Sequence, residues 1–179
     1  LKEYFPKVPF LALTATATAR VQKDILEQLT ISDAAFFSKS FSRENLSYMV
    51  FEVEDKFHLA EQILRKNPEP SIIYVTNRKS CTDTVSQLES LGFKATYYHG
   101  GLLPKDKENH MKLWMEEKVQ IMVATNAFGM GIDKANVKTI IHLHLPSNLE
   151  NYYQEAGRAG RNEEKAFAVL LANPTDITH

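Results

Sequence analysis

From residue 71 onward, short runs of apolar and β-branched residues recur, most of them separated by a segment of helical length. They are Ile72-Ile73-Tyr74-Val75, Lys94–Tyr98, Val119–Ala124, Thr139–Leu143 and Ala166–Leu171. Runs this short and this apolar read as buried strands, and their alternation with helical segments is the pattern of an α/β fold built on a parallel sheet. The punctuation agrees. Asn77 caps a helix carrying Val85, Leu88 and Leu91 that stops at Gly92, Pro104 opens another, and Ser147 with Glu150 predicts a capping box for a third. Upstream, Pro9–Leu13 reads as a strand, followed by an amphipathic helix near residues 18–29 with Val21, Ile25, Leu26 and Leu29 on one face. Residues 35–40 and 46–53 read as two further strands. Asp55 caps a helix to about Lys66, where Asn67-Pro68-Glu69-Pro70 forces a turn.

A chain of 179 residues suits one domain, or one domain with a piece of another. Lys and Arg total 21 against 22 Asp and Glu, so any anion binding must come from local placement of charge rather than from a basic surface. A hydrophobic fraction of 44% excludes wholesale disorder, and no apolar run approaches the roughly 20 residues that cross a bilayer. The single cysteine, Cys81, excludes an internal disulfide and a Cys-rich zinc site, and fits a reducing, cytoplasmic setting.

Six of the seven glycines (Gly100, Gly101, Gly129, Gly131, Gly157 and Gly160) fall in three clusters that follow predicted strands or end a predicted helix. In open parallel sheets ligands bind at such loops. The third cluster holds Arg158 and Arg161, three apart, which in helical geometry point to one side; two adjacent guanidiniums repel unless an anion joins them. The equally open alternative is a solvated helix end favoured by the dipole. Thr125–Lys134 follows a buried strand, and its Asp133 can accept from a ribose hydroxyl, pair with an arginine, or serve as a turn residue. Thr14–Thr18 offers hydroxyls, with helix capping the better assignment for Thr16 or Thr18. Thr76-Asn77-Arg78-Lys79 and His99-Gly100-Gly101 put donors at loop tips, where they suit a sugar-phosphate backbone. His142-x-His144 has no evident carboxylate or thiol to complete a metal set, and Trp114 with Met111 and Met115 reads as helix packing.

Taken in order, these segments resemble the RecQ family of ATP-dependent DNA helicases. The matching pieces are Leu13–Thr18 (motif III), Phe41-Ser42-Arg43-Glu44-Asn45-Leu46, Ile72–Arg78 (motif IV), Tyr98–Leu102, Val123–Lys134 (motif V) and Tyr152–Arg161 (motif VI). The resemblance implies a RecA-like parallel sheet flanked by helices, with residues 1–34 forming the tail of a first RecA-like lobe and 35–179 the second, helicase C-terminal lobe. It also implies a piece of a larger enzyme. The sequence contains no Gly-Lys-Ser/Thr phosphate loop and no Asp-Glu-x-His motif, which in the family lie in the first lobe.

On this resemblance ATP and Mg²⁺ bind mainly to the first lobe, Arg161 is the arginine finger and Arg158 assists. Gln154 couples nucleotide to DNA, and Gly131 and Asp133 sit near ribose and phosphates. Asn77, Arg78, His99, Gly100 and Thr125 touch single-stranded DNA. The implied partners are single-stranded or forked DNA, the first lobe, and a second copy if the orphaned Val8–Leu13 segment is exchanged; no metal is held by this chain and no membrane is involved. The implied setting is the bacterial nucleoid, or the nucleus in a eukaryote, and the implied activity is 3′-to-5′ unwinding in repair or recombination. A non-catalytic nucleic-acid-binding module and an RNA motor lobe remain the alternatives.

Overall fold

The computed structural model describes residues 4, 5, 8, 9, 11–14, 18–31, 34–37, 43–129 and 132–177. It divides into two compact units, Leu1–Arg43 and Glu44–His179. The resemblance puts the boundary between its two lobes at residue 34; the division by compactness falls after Arg43.

In the first unit, α1 (Ala19–Leu29) forms as the apolar spacing predicts. The Thr18 hydroxyl accepts from the Val21 amide at 3.4 Å, and the helix ends at Thr30 in a left-handed conformation. No strand forms among the described residues of Pro9–Leu13: residues 9 and 11–14 have no regular structure, and Leu11 and Leu13 are 82% and 84% exposed. Residues 35–37, the described part of the strand expected over 35–40, are likewise irregular, and 38–40 lie outside the described residues. An apolar run becomes a strand only when a neighbour completes its hydrogen-bond ladder, and this unit supplies none among the described residues.

The second unit is a six-stranded, all-parallel sheet. Its strands are β1 (Leu46–Glu52), β2 (Ser71–Tyr74), β3 (Ala95–Tyr98), β4 (Ile121–Ala124), β5 (Thr139–His142) and β6 (Ala166–Ala172), in the order β1-β6-β5-β2-β4-β3. The register is continuous: Ile73 lies beside Val123 of β4 and Ile141 of β5, and Ile141 beside Val169 of β6. β2, β4 and β5 are buried at every position, around the apolar pairs Ile72-Ile73, Met122-Val123 and Ile140-Ile141, with Ser71, Thr139 and His142 as the buried polar exceptions.

Alternation along the strands divides the core. Ile73, Val123 and Ile141 face α2 (Lys56–Lys66) and α3 (Arg78–Ser90) through Ala60, Leu64, Val85 and Leu88. Ile72, Met122 and Ile140 face the other side, where Trp114 of α4 (Pro104–Met115) and Ala156 of α5 (Leu149–Ala156) pack with Phe128. Asp55 and Asn77 cap α2 and α3, accepting from His58 and Ser80 amides at 2.9 and 2.8 Å. The third cap differs from the expected box: Asn148, not Ser147, caps α5 and accepts from the Asn151 amide at 2.8 Å, while Ser147 accepts from the Asn151 side chain. A short 3₁₀ turn, Pro174–Ile177, follows β6. No described helix is long and apolar enough to cross a membrane.

Candidate functional site

Because every strand runs the same way, the loops after β2, β3 and β4 emerge at one edge of the sheet. There they enclose an open groove of about 590 Å³. Four of the five residues assigned by sequence to a nucleic-acid track line it: Asn77, Arg78, Gly100 and Thr125, joined by Thr76, Lys79, Asn126 and Ala127. Asn77 spends its side-chain oxygen on the helix cap. Thr125 is buried, and its hydroxyl accepts from the Ala127 amide, so it shapes the loop as well as lining it. Arg78 and Lys79 bring two cations to the N-terminus of α3, where the helix dipole disfavours them, and the Arg78 guanidinium lies over Gly101. An anion in the groove would relieve both effects. His99 is not among the lining residues: its ring stacks on Tyr97, two residues back on the same side, with centroids 5.7 Å apart, and its Nδ1 is buried without a partner.

The arginine pair is built differently from the helical arrangement its spacing suggests. α5 ends at Ala156, so Arg158 and Arg161 lie in the turns beyond it. Both nevertheless reach the loop that leaves β4. Arg158 donates to the Gly129 carbonyl at 2.5 Å, and Arg161 donates to the Ile132 carbonyl at 2.9 Å and to Asp133 Oδ1 at 2.8 Å. Carbonyl dipoles and one carboxylate thus supply the negative partners that two neighbouring guanidiniums need. Of the open roles for Asp133, the structure adopts pairing with an arginine. The Asp133 side chain is 83% exposed and that of Arg161 36%, so the pair can exchange for another anion; Arg158 is more enclosed, and its Nε is buried with no partner. Gln154 is exposed on α5. Gly131 lies outside the described residues.

The glycines serve packing more than ligand approach. Gly160 has φ +64°, and a Cβ there would sit 2.7 Å from both Ala166 Cβ and Asn45 Nδ2. At Gly129 a Cβ would run into the Arg158 guanidinium. Gly160 is therefore required by the backbone and by the packing around it.

Several partners were not visible in sequence. His142, 1% exposed on β5, shares a hydrogen bond of 2.8 Å with Glu155 of α5 and stacks on Tyr74, whose hydroxyl donates to the Phe128 carbonyl at 3.3 Å. Burial pushes the Tyr74 phenol well above its ordinary pKa, with Arg158 opposing the shift, so it stays a neutral donor. Glu155, thirteen residues on, is thus a hydrogen-bond partner of His142, and among the described residues no His, Cys, Asp or Glu cluster could hold a metal ion. A histidine in a wholly buried strand needs a partner, and that was the available signal. A smaller cavity of about 190 Å³ lined by His142, His144 and Glu155 shares Thr76 and Asn126 with the groove. Lys134, also buried, donates to Glu117 at 2.9 Å and to the Met115 carbonyl at 3.3 Å, and anchors the chain beside Asp133.

Residues 55–163 match the family described as the helicase conserved C-terminal domain. The chain belongs to that family. Its curated relatives carry RecQ-type names. It is 43% identical over 183 residues to a putative ATP-dependent DNA helicase of Caenorhabditis elegans, covering 99% of this chain and 29% of the relative. It is 40% identical over 177 residues to the ATP-dependent DNA helicase RecQ of Bacillus subtilis, covering 98% and 30%. This chain thus spans less than a third of the length of these relatives. Among solved structures, a DEAD-box protein from the hyperthermophile Methanococcus jannaschii superposes with a TM-score of 0.70 at 24% identity, over 90% of this chain and 45% of that one, which shows the shared fold.

Proposed function

We propose that this chain is the second motor lobe of an ATP-dependent DNA helicase, carrying the arginine finger and part of the track for single-stranded DNA. The observation that supports this most is the convergence of Asn77, Arg78, Gly100 and Thr125 on one groove. Backbone contacts of this type give affinity without sequence preference, which a translocating motor needs. His99, outside the groove, is left out of the assignment.

The arginine pair fits a polyphosphate. Arg161 is held by an exposed carboxylate, and Arg158 retains a buried Nε without a partner, so both keep capacity to donate. In this reading ATP with Mg²⁺ is held mainly by a first lobe, to which residues 1–34 belong, and supplies the phosphoryl chemistry there. Arg161 leaves Asp133 for the γ-phosphate and neutralises charge that develops on transfer, an effect on the order of 10³–10⁵ in rate. Arg158 holds the Gly129 loop in register, Gly131 and Asp133 border the ribose and phosphates, and Gln154 links the nucleotide to the DNA. Closing and reopening of the two lobes then moves the strand, 3′ to 5′, in repair or recombination.

The test is ATP hydrolysis with and without single-stranded DNA, by the chain alone and then with the first lobe of its parent added in trans. Inactivity alone, with rescue that Arg161→Ala abolishes, is the expected result. DNA-stimulated turnover by the chain alone would overturn the shared-site reading.

A further inference from the structure

Asn45 sits one residue before β1, at the point where the chain enters the second unit. Its side-chain amide nitrogen donates to two carbonyls, Gly160 at 2.7 Å and Glu164 at 2.8 Å. Those two carbonyls bracket Arg161. Its own carbonyl accepts from the Ala166 amide at 2.8 Å, which fixes its main chain to the start of β6. On the opposite side the Gly160 amide donates to Val137 and the Asn162 amide to Ala135. The turn bearing Arg161 is therefore gripped from two directions, and Asn45 is the side-chain half of that grip. The left-handed Gly160 completes it, since any side chain there would displace the Asn45 amide.

We propose that Asn45 is a positioning residue for Arg161: it fixes the Gly160–Glu164 turn so that the guanidinium is presented at Asp133, and it ties that turn to the segment entering the unit. The proposal rests on the role given to Arg161 above. The geometry favours asparagine at this position. Two N–H bonds on a short stem match two carbonyls on one turn, aspartate would set an oxygen against both, and alanine would leave both unanswered. Arg161 needs such support because its own tether is exposed at Asp133.

Three variants of the full-length parent enzyme, Asn45→Ala, the milder Asn45→Ser, and Arg161→Ala, are compared for kcat and KM of DNA-stimulated ATP hydrolysis well below their melting temperatures. Misplacement of a catalytic group by about an ångström costs on the order of 10–100-fold, so both Asn45 variants should lose kcat by that range with KM for ATP little changed. In a double variant of Asn45→Ser with Arg161→Ala, made alongside, the Asn45 change should cost nothing beyond Arg161→Ala alone. In this chain, hydrogen exchange at the Gly160 and Asn162 amides should accelerate in Asn45→Ser while the amides of β2 and β4 keep their protection. If Arg161→Ala costs kcat but folded Asn45 variants do not, the positioning role is overturned and the finger stands. If Arg161→Ala costs nothing, the finger assignment fails, and this proposal with it. Unchanged exchange at Gly160 and Asn162 would overturn the grip itself.

Discussion

Gly160→Ala separates two explanations of the same glycine. If Gly160 only clears a path for an anion, alanine leaves stability unchanged. The structure says otherwise, and the cost can be built up. A non-glycine residue held at φ +64° costs about 1–2 kcal/mol. The new Cβ would lie 2.7 Å from Ala166 Cβ, which is fixed at the start of β6, and 2.7 Å from Asn45 Nδ2. Relieving such overpacking costs roughly 1–3 kcal/mol. Restriction of the unfolded chain by alanine returns about 0.4–1 kcal/mol. The net expectation is destabilisation of about 1–4.5 kcal/mol, or roughly 2–18 °C in melting temperature for a domain of this size. Urea denaturation and calorimetry of the variant read it directly. Gly129→Ala is the control: its Cβ meets only the movable end of Arg158, so stability should fall by less than about 1 kcal/mol. A Gly160→Ala variant within 1 kcal/mol of the parent chain would refute the packing argument.

Two further expectations concern titrating groups. Lys56 donates to Asp176 and to the Leu143 carbonyl, tying the 3₁₀ turn to α2, and the hydrogen bond from Lys56 holds the Asp176 carboxyl below its ordinary pKa. A folded pKa below the unfolded one gives stability that is present above ~pH 4 and is lost as pH falls through the folded value. The drop in melting temperature between ~pH 5 and ~pH 2.5 should therefore shrink in Lys56→Met, and an unaltered drop would refute the pairing. Cys81 is fully buried, and burial pushes its thiol up to about 11. At ~pH 8 the native chain should resist an alkylating reagent that labels it at once in denaturant, because the thiolate is the reactive form; rapid native labelling would place Cys81 at the surface.

The strands from residue 71 onward were legible because each centres on consecutive apolar or β-branched residues, such as Ile72-Ile73, Met122-Val123 and Ile140-Ile141, the pattern of a strand covered on both faces. The Asp55 and Asn77 caps were legible because they depend on three-residue geometry. The apolar segment Pro9–Leu13 has the same local character and forms no strand among its described residues, since a strand is completed by its neighbour and not by its own composition. Ser147 and Asn148 are both competent caps one residue apart, and in the structure the second caps α5.

The groove was legible as a set of loop tips after predicted strands, because parallel connectivity puts those tips on one edge whatever the details. What the sequence determined by itself was the class of fold, the starts of α2 and α3, and which loops face one another. Tertiary structure alone decided the pairings across long separations: Asn45 with Gly160, Arg158 with Gly129, Lys134 with Glu117, and His142 with Glu155. Local patterns encode periodicity and capping, which act over one or two turns. A buried donor takes whichever acceptor the packed sheet brings within 3 Å, and that is settled only when all the strands are in register.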